Sequence, residues 1–222
     1  MARSRGRQDF AVIGLGRFGS SLALRLTVLG QSVLAIDRGR DLVQQMADEL
    51  AQTVALDATD EDALRLVGIE EFQTVVVAIG DDFENSILIT NLLKEMGVQT
   101  VICKALTERQ KKILLRVGAD QVVLPEHEAG ERLARQLTSP LLIGELELGP
   151  DLMISEIHCP PALAGHSLQD LNLSGRLGVT VLVIKDGRLI SQPRVDDVLA
   201  EGDVLLVLGS EEGVARLSTW RP

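Results

Sequence analysis

The turn Gly14-Leu15-Gly16-Arg17-Phe18-Gly19 follows the apolar run Phe10–Ile13 and opens a helical pattern that extends to Leu29. A G-x-G-x-x-G turn between a strand and a helix restricts the chain to a βα unit of a parallel sheet. Gly14 permits the tight turn, Gly16 lets phosphate oxygens approach the backbone, and Gly19 lets the helix pack on the strand. The free N–H groups and the helix dipole then favour an anion at that point. Asp37 ends the second strand pattern 18 residues after Gly19, close to the spacing of a carboxylate that accepts hydrogen bonds from ribose hydroxyls. A carboxylate there disfavours the 2′-phosphate of NADP.

The rest of the N-terminal half repeats the unit. The runs FAVIG, SVLAID, TVAL, TVVVAIG, TVICKA and QVVLP read as strands, near-continuously apolar as in a sheet covered on both faces. Helical patterns occupy Arg17–Leu29, Asp41–Leu50, Glu61–Val67, Glu84–Met96, Glu108–Val117 and Glu126–Leu137, and Gly30, Gly68, Gly97 and Gly118 follow four of them as C-terminal stops. Thr59 with Asp62 matches a capping pattern, so Thr59 reads as the cap of the third helix rather than as a ligand contact. The expected fold is α/β: a Rossmann-type doubly wound parallel sheet over residues 9–138, then a small α+β domain over 153–222. Residues 1–8 read as a flexible tail. Residues 139–152, where Pro140, Gly144, Gly149 and Pro150 cluster, read as a linker.

Charge and composition exclude several functions. A formal net charge of −10 disfavours nucleic acid, and the basic triplet Arg3, Arg5 and Arg7 reads as a solvated tail. No apolar run reaches the roughly 18 to 20 residues that span a bilayer, so the chain is expected to be soluble and cytoplasmic. Cys103 and Cys159 read as buried apolar residues; His158 beside Cys159 points to the opposite strand face, so the two make no metal pair. The chain has no tyrosine, and His127, His158 and His166 stand in no acid–base constellation, so the site is expected to sense a nucleotide rather than react it. An NAD-dependent oxidoreductase is the rival, lacking both a catalytic acid and a substrate domain. Asp57, ending the third strand pattern, reads either as an acceptor for the adenine amino group or as a turn residue. Gly80 permits close approach to a ligand, whereas Asp81 and Asp82 read as helix-capping residues.

The stretches FAVIGLGRFGSSLALRL, VLAID, DATDEDAL, VVVAIGDDFENSILITNLLKEMGV, ICKA, GADQVVLPEHEAGERLA and LAGHSLQDLNLSGRLGVTVLVIKDGRLISQPRVDDVLAEGDVLLVLG resemble the cytosolic regulatory subunit of Ktr/Trk potassium uptake systems. The likeness runs from about Asp9 to Leu217 and takes in both halves of an RCK (regulator of potassium conductance) domain, nearest to the Ktr type with a single such unit. The resemblance implies a non-enzymatic subunit, cytoplasmic and peripheral at the inner face of the membrane, built from dimers into an octameric ring beneath a potassium-transporting membrane subunit and binding ATP or ADP. It implies a pocket of Gly14, Gly16, Phe18, Gly19, Asp37, Arg38, Asp57, Ala58, Ile79, Gly80 and Lys104. Arg17 would reach the terminal phosphate of a neighbouring subunit's nucleotide. Glu126 would help hold Mg2+ or Ca2+ between facing phosphates, although a glutamate at a helix start is also favoured by the dipole alone. Leu171, Asn172, Arg176, Ile184 and Pro193 lie in stretches matching a cyclic di-AMP site, and several also read as core or turn residues. The Trk type, with NAD(H) as ligand, is the alternative within the family.

Overall fold

The computed structural model describes residues 9–149, 151–185, 188–190 and 193–220. The tail with Arg3, Arg5 and Arg7 lies outside them. Two compact units divide between Ala129 and Gly130. In the first, strands β1 (Asp9–Ile13), β2 (Ser32–Asp37), β3 (Gln52–Ala55), β4 (Thr74–Val77), β5 (Thr100–Lys104) and β6 (Gln121–Val123) form one sheet in the order β3-β2-β1-β4-β5-β6. Every pairing in it is parallel. The connecting helices are α1 (Arg17–Val28), α2 (Arg40–Met46), α3 (Glu61–Leu66), α4 (Phe83–Glu95) and α5 (Glu108–Val117); α6 (Pro125–Thr138) begins in this unit and ends in the next. This is the doubly wound fold expected, and its order reverses between β1 and β4, which opens a crevice at the carboxyl ends of those strands.

Strand periodicity divides the core between the two faces. Ala11 and Ile13 join Leu34, Ile36, Val75 and Val77 in one buried cluster, while Val12 joins Val33, Ala35 and Val76 in another. Asp120 ties the sheet to its cover. Its Oδ2 accepts the Val101 N–H at 2.7 Å and the Lys94 ammonium at 3.0 Å. Partial burial works against the charge, but these two donors outweigh it and hold the carboxyl below its ordinary value. The resulting stability is present above the unfolded carboxyl pKa of about 3.9 and is lost as pH falls through the lowered folded value. Asp120→Asn is therefore expected to lower stability at neutral pH and to flatten this part of the acid limb, as read by urea midpoints across pH 2–7.

Two local expectations are corrected. Asp60, not Thr59, caps α3, its side chain accepting the N–H groups of Asp62 and Ala63; Thr59 instead donates to Asp57 from both backbone and hydroxyl. An Asx turn at Asp57 carries the chain one residue further before the helix starts, so the capping position moves from 59 to 60.

The second correction concerns the expected linker 139–152. It contains a strand, β7 (Leu142–Gly149), paired antiparallel with β8 (Leu152–His158). The pairing shifts register between Leu142 and Gly144 and between Glu147 and Gly149, and the short alternation Glu145-Leu146-Glu147-Leu148 is enclosed in sequence by Pro140, Gly144, Gly149 and Pro150, which read as chain breakers. With β9 (Thr180–Lys185), β10 (Arg188–Ile190) and β11 (Val204–Gly209), these strands make a sheet in the order β10-β9-β11-β8-β7. Met153, Ile157, Val183, Leu205 and Val207 form one core with Leu171 of α7 (Leu168–Leu171), Leu177 of α8 (Leu173–Leu177) and Leu217 of α9 (Glu211–Thr219).

Candidate functional site

The glycine turn sits at the carboxyl end of β1 beside the reversal of strand order. Gly14 adopts φ +97°, and its N–H bonds to the Ile36 carbonyl at 2.8 Å. At Gly19 a Cβ would stand 1.8 Å from the Gly14 carbonyl oxygen, so the absence of a side chain is what lets α1 approach the turn. A Cβ on Gly16 would meet nothing within 4 Å. Gly16 is the N-cap of α1 and offers no capping side chain, and the first turn holds no acid. By contrast α3, α4 and α5 are capped by Asp60, Asp82 and Thr107. The N–H groups that open α1 are thus left for an anion. Arg17 is exposed on this turn, and Phe18 packs inward against the cluster of Val12 and Val33.

A pocket of about 240 Å³ runs along the ends of β1 to β4. Of the expected residues, Gly14 and Gly16 line it from the turn, Asp37 and Arg38 from the end of β2, Asp57 and Ala58 from the loop after β3, and Ile79 and Gly80 from the loop after β4. Arg17, Phe18, Gly19 and Lys104 are not among its lining residues. Leu42 of α2 and Asn85 and Ile89 of α4 also line it and are not read from sequence, because helical periodicity presents these helices as core cover; Leu56, just past β3, lines it too. The one signal for Asn85 was its position three residues after the capping Asp82.

Asp37 is engaged at both oxygens: Oδ2 accepts the Leu15 N–H and Oδ1 the Gly39 N–H, each at 2.7 Å. It therefore braces the glycine turn against the start of α2, with the remaining lone pairs free for a ligand's hydroxyls. Asp57 is held below its ordinary carboxyl value by the Thr59 N–H and hydroxyl, with burial opposing and the Arg38 charge assisting. It remains anionic and fills the turn role, while still lining the pocket. Arg38 stands 3.7 Å from Asp82 across the mouth.

Lys104, at the end of β5, is only 10% exposed and pairs through Nζ with Oε1 of Glu126 at 2.7 Å. The ammonium lowers the Glu126 carboxyl below its ordinary range, against a smaller effect of burial. Among the described residues no group of three or more His, Cys, Asp or Glu side chains could hold a metal ion. Glu126, which the resemblance implies as one ligand among phosphate oxygens, here faces the Lys104 ammonium.

In the second unit, Leu171 is fully buried in the core. Asn172, at φ +41°, caps α8 through its Oδ1 to the Gly175 N–H. The Arg176 guanidinium lies 5.5 Å from the Trp220 ring centroid. Ile184 is within β9, and Pro193 is half-buried. Leu171 and Asn172 thus fill the core and turn roles their positions also admit.

Models of two protein families match the chain, the TrkA-N domain over residues 10–125 and the TrkA-C domain over residues 152–220. Ktr system potassium uptake protein C of Bacillus subtilis (strain 168) is 37% identical over 211 residues, 95% of this chain and 96% of that one. Ktr system potassium uptake protein A of the same organism is 35% identical over 217 residues, 97% of each. Among solved structures, the GsuK channel bound to NAD superposes with a TM-score of 0.64 at 16% identity, covering 100% of this chain and 41% of that chain. At that identity the likeness is one of fold, and this chain spans less than half of the channel's length.

Proposed function

Because the chain belongs to the Ktr/Trk family of potassium-uptake proteins, with TrkA-N and TrkA-C domains and relatives matched over nearly their full length, we propose that it is a nucleotide-sensing regulatory subunit of a potassium-uptake system. It binds ATP or ADP and transmits which one is bound to a membrane-embedded potassium-transporting subunit. The observation that carries this reading is the uncapped first turn of α1, with open space above Gly16 and the pocket beside it. Phosphates belong on the turn and adenosine in the pocket. On the β5 side, where a dinucleotide's second half would extend, Nζ of Lys104 stands 3.1 Å from the place of a Cβ on Gly80.

The nucleotide acts as a signal and undergoes no chemical step in this proposal. The subunit works as a ring, dimers assembling into an octamer, at the cytoplasmic face of the membrane. Apolar side chains such as Leu66 of α3 and Leu137 of α6, 88% and 74% exposed, are of the kind that association covers. No described helix is long and apolar enough to cross a membrane. Within the ring, Arg17 reaches from its exposed position to the third phosphate of a neighbouring subunit's nucleotide. A guanidinium there distinguishes three phosphates from two by charge-assisted bonds, and a ligand shifts a conformational equilibrium only through such differential affinity.

Calorimetric titration with ATP, ADP, NAD⁺ and NADH, on wild type and Arg17→Ala, tests the reading. Wild type is expected to prefer ATP and ADP. Arg17→Ala is expected to weaken ATP by about 1.5–3 kcal/mol, roughly 10- to 150-fold, and to leave ADP unchanged. Tighter binding of NAD(H) than of either mononucleotide would transfer the site to the dinucleotide reading favoured by GsuK's NAD. Equal losses of ATP and ADP would place Arg17 on its own subunit's phosphates.

A further inference from the structure

Residues 41–73 carry nine carboxylates and one arginine, so most of the chain's formal net charge of −10 lies in one stretch. Folding gathers that stretch at one margin of the parallel sheet, because β3 ends the strand order, α2 precedes it and α3 follows it. On the β2 side the Leu56 N–H donates to the Asp37 carbonyl at 3.0 Å, and the direction of strand hydrogen bonds alternates from residue to residue. The N–H and C=O groups of Thr53 and Ala55 therefore point to the open side, where no described strand pairs with them. Beside this edge runs a groove lined by Leu34, Leu50, Val54, Val67 and Phe72. Leu66, next in the chain to Val67, is exposed. Asp48 and Glu49 precede Leu50, Glu70 and Glu71 precede Phe72, and all four acids are exposed. The one cation of the stretch, Arg65, is engaged by Glu61 at 2.6 Å.

Each feature restricts what can cover the edge. Open strand N–H and C=O groups are completed by another extended chain, and an apolar groove beside them takes alternate side chains of that chain. The carboxylates select lysine and arginine at the remaining positions. They repel nucleic acid, an anionic lipid surface and, in a two-fold contact, the same face of a second copy. Edge strands are commonly blunted by Lys or Pro, and β3, Gln-Thr-Val-Ala, contains neither. Independently of the nucleotide reading, the geometry points to a docking site for an extended basic segment of a partner protein, in which apolar side chains alternate with Lys or Arg. The segment adds to the outer side of β3. Its main chain bonds to Thr53 and Ala55, its apolar side chains enter the groove, and its cations lie among Asp48, Glu49, Glu70 and Glu71.

The probe is a fluorescein-labelled peptide, Lys-Val-Arg-Val-Lys-Val-Arg-amide, titrated with the full chain at low ionic strength and read by polarisation. Saturable one-to-one binding to wild type is expected, and none for the same peptide with Glu in place of every Lys and Arg. Thr53→Pro removes an outward N–H and leaves the β2 pairing intact, as edge strands tolerate; it is expected to bind the probe about tenfold more weakly. Replacing Asp48, Glu49, Glu70 and Glu71 together by their amides is expected to weaken binding about tenfold and to remove most of its salt dependence. With peptide bound, amide exchange is expected to slow at Thr53 and Ala55, whose N–H groups are open, more than at Val54, which already faces β2. Absence of saturable binding overturns the proposal, and so does equal binding by folded Thr53→Pro, which would reduce the contact to charge attraction alone. If Thr53→Pro does not fold, exchange at Thr53 and Ala55 left unchanged by the peptide overturns it instead. Two outcomes would give the edge to another occupant and also overturn it. A mass by light scattering that falls in peptide-free Thr53→Pro would assign it to a second copy, and tighter probe binding after removal of residues 1–8 would assign it to the chain's own Arg3, Arg5 and Arg7.

Discussion

Gly19→Ala is expected to destabilise the first unit by more than about 3 kcal/mol, the upper end of the overpacking range. Its Cβ would stand 1.8 Å from the Gly14 carbonyl oxygen, and the opposing atom is backbone, which no rotamer change can move aside. Relief requires α1 to withdraw from β1, opening the contacts of Ala23 and Leu22 with the Val12 and Val33 cluster. Urea unfolding followed by far-ultraviolet circular dichroism reads the loss. Gly16→Ala, three residues away, is expected to do the reverse. Gly16 has φ −64° and ψ −175°, a conformation alanine adopts without strain, and its new methyl would meet no protein atom within 4 Å. Stability should stay within about 0.5 kcal/mol, while ATP and ADP binding fall together because the methyl occupies the approach of the phosphates. Unimpaired nucleotide affinity in a folded Gly16→Ala protein would show that no phosphate lies on this turn.

Asp37→Ala is expected to reduce stability and nucleotide affinity at once. It strips the acceptors from the Leu15 and Gly39 N–H groups, and hydrogen bonds to charged groups contribute about 1.5–3 kcal/mol each, less where water reaches them. A combined loss of about 2–3 kcal/mol in unfolding free energy is expected. Both nucleotides present the same ribose, so their affinities should fall by the same factor, in contrast to the selective loss at Arg17. Asp37→Asn retains one acceptor and turns an NH₂ toward an N–H donor, so an intermediate stability is expected. A stability loss with unchanged ATP and ADP affinity would make Asp37 a brace of the turn alone.

The double role of Asp37 illustrates what a sequence discloses. Motif spacing finds the residue and its neighbourhood, because the turn, the strand end and the helix start are local. It does not reveal that the carboxylate already serves Leu15 across 22 residues, since that bond depends on the register of β1 against β2. The same division holds elsewhere. Apolar runs and glycine stops locate the six parallel strands, and Gly30, Gly68, Gly97 and Gly118 all take positive φ. The edge strand β7 escapes notice because its alternation, Glu145-Leu146-Glu147-Leu148, is short and is enclosed by Pro140, Gly144, Gly149 and Pro150, which imitate a linker. Residues from separate elements that meet only after folding, such as Arg38 with Asp82 and Lys104 with Glu126, carry no pattern in the chain. Asn85 and Leu42 line the pocket from helices whose periodicity is explained by burial alone.

The position of Trp220 gives the molecule a built-in optical separation. It is the sole tryptophan in a chain without tyrosine, and it packs against the core of the second unit with the Arg176 guanidinium over its ring. Emission excited at the red edge of the absorption band therefore comes from the second unit alone, whereas the unit carrying the glycine turn is dark. A nucleotide that binds the dark unit registers in this signal only when the second unit feels it, so one cuvette can tell whether an event at Gly16 is felt beside Arg176.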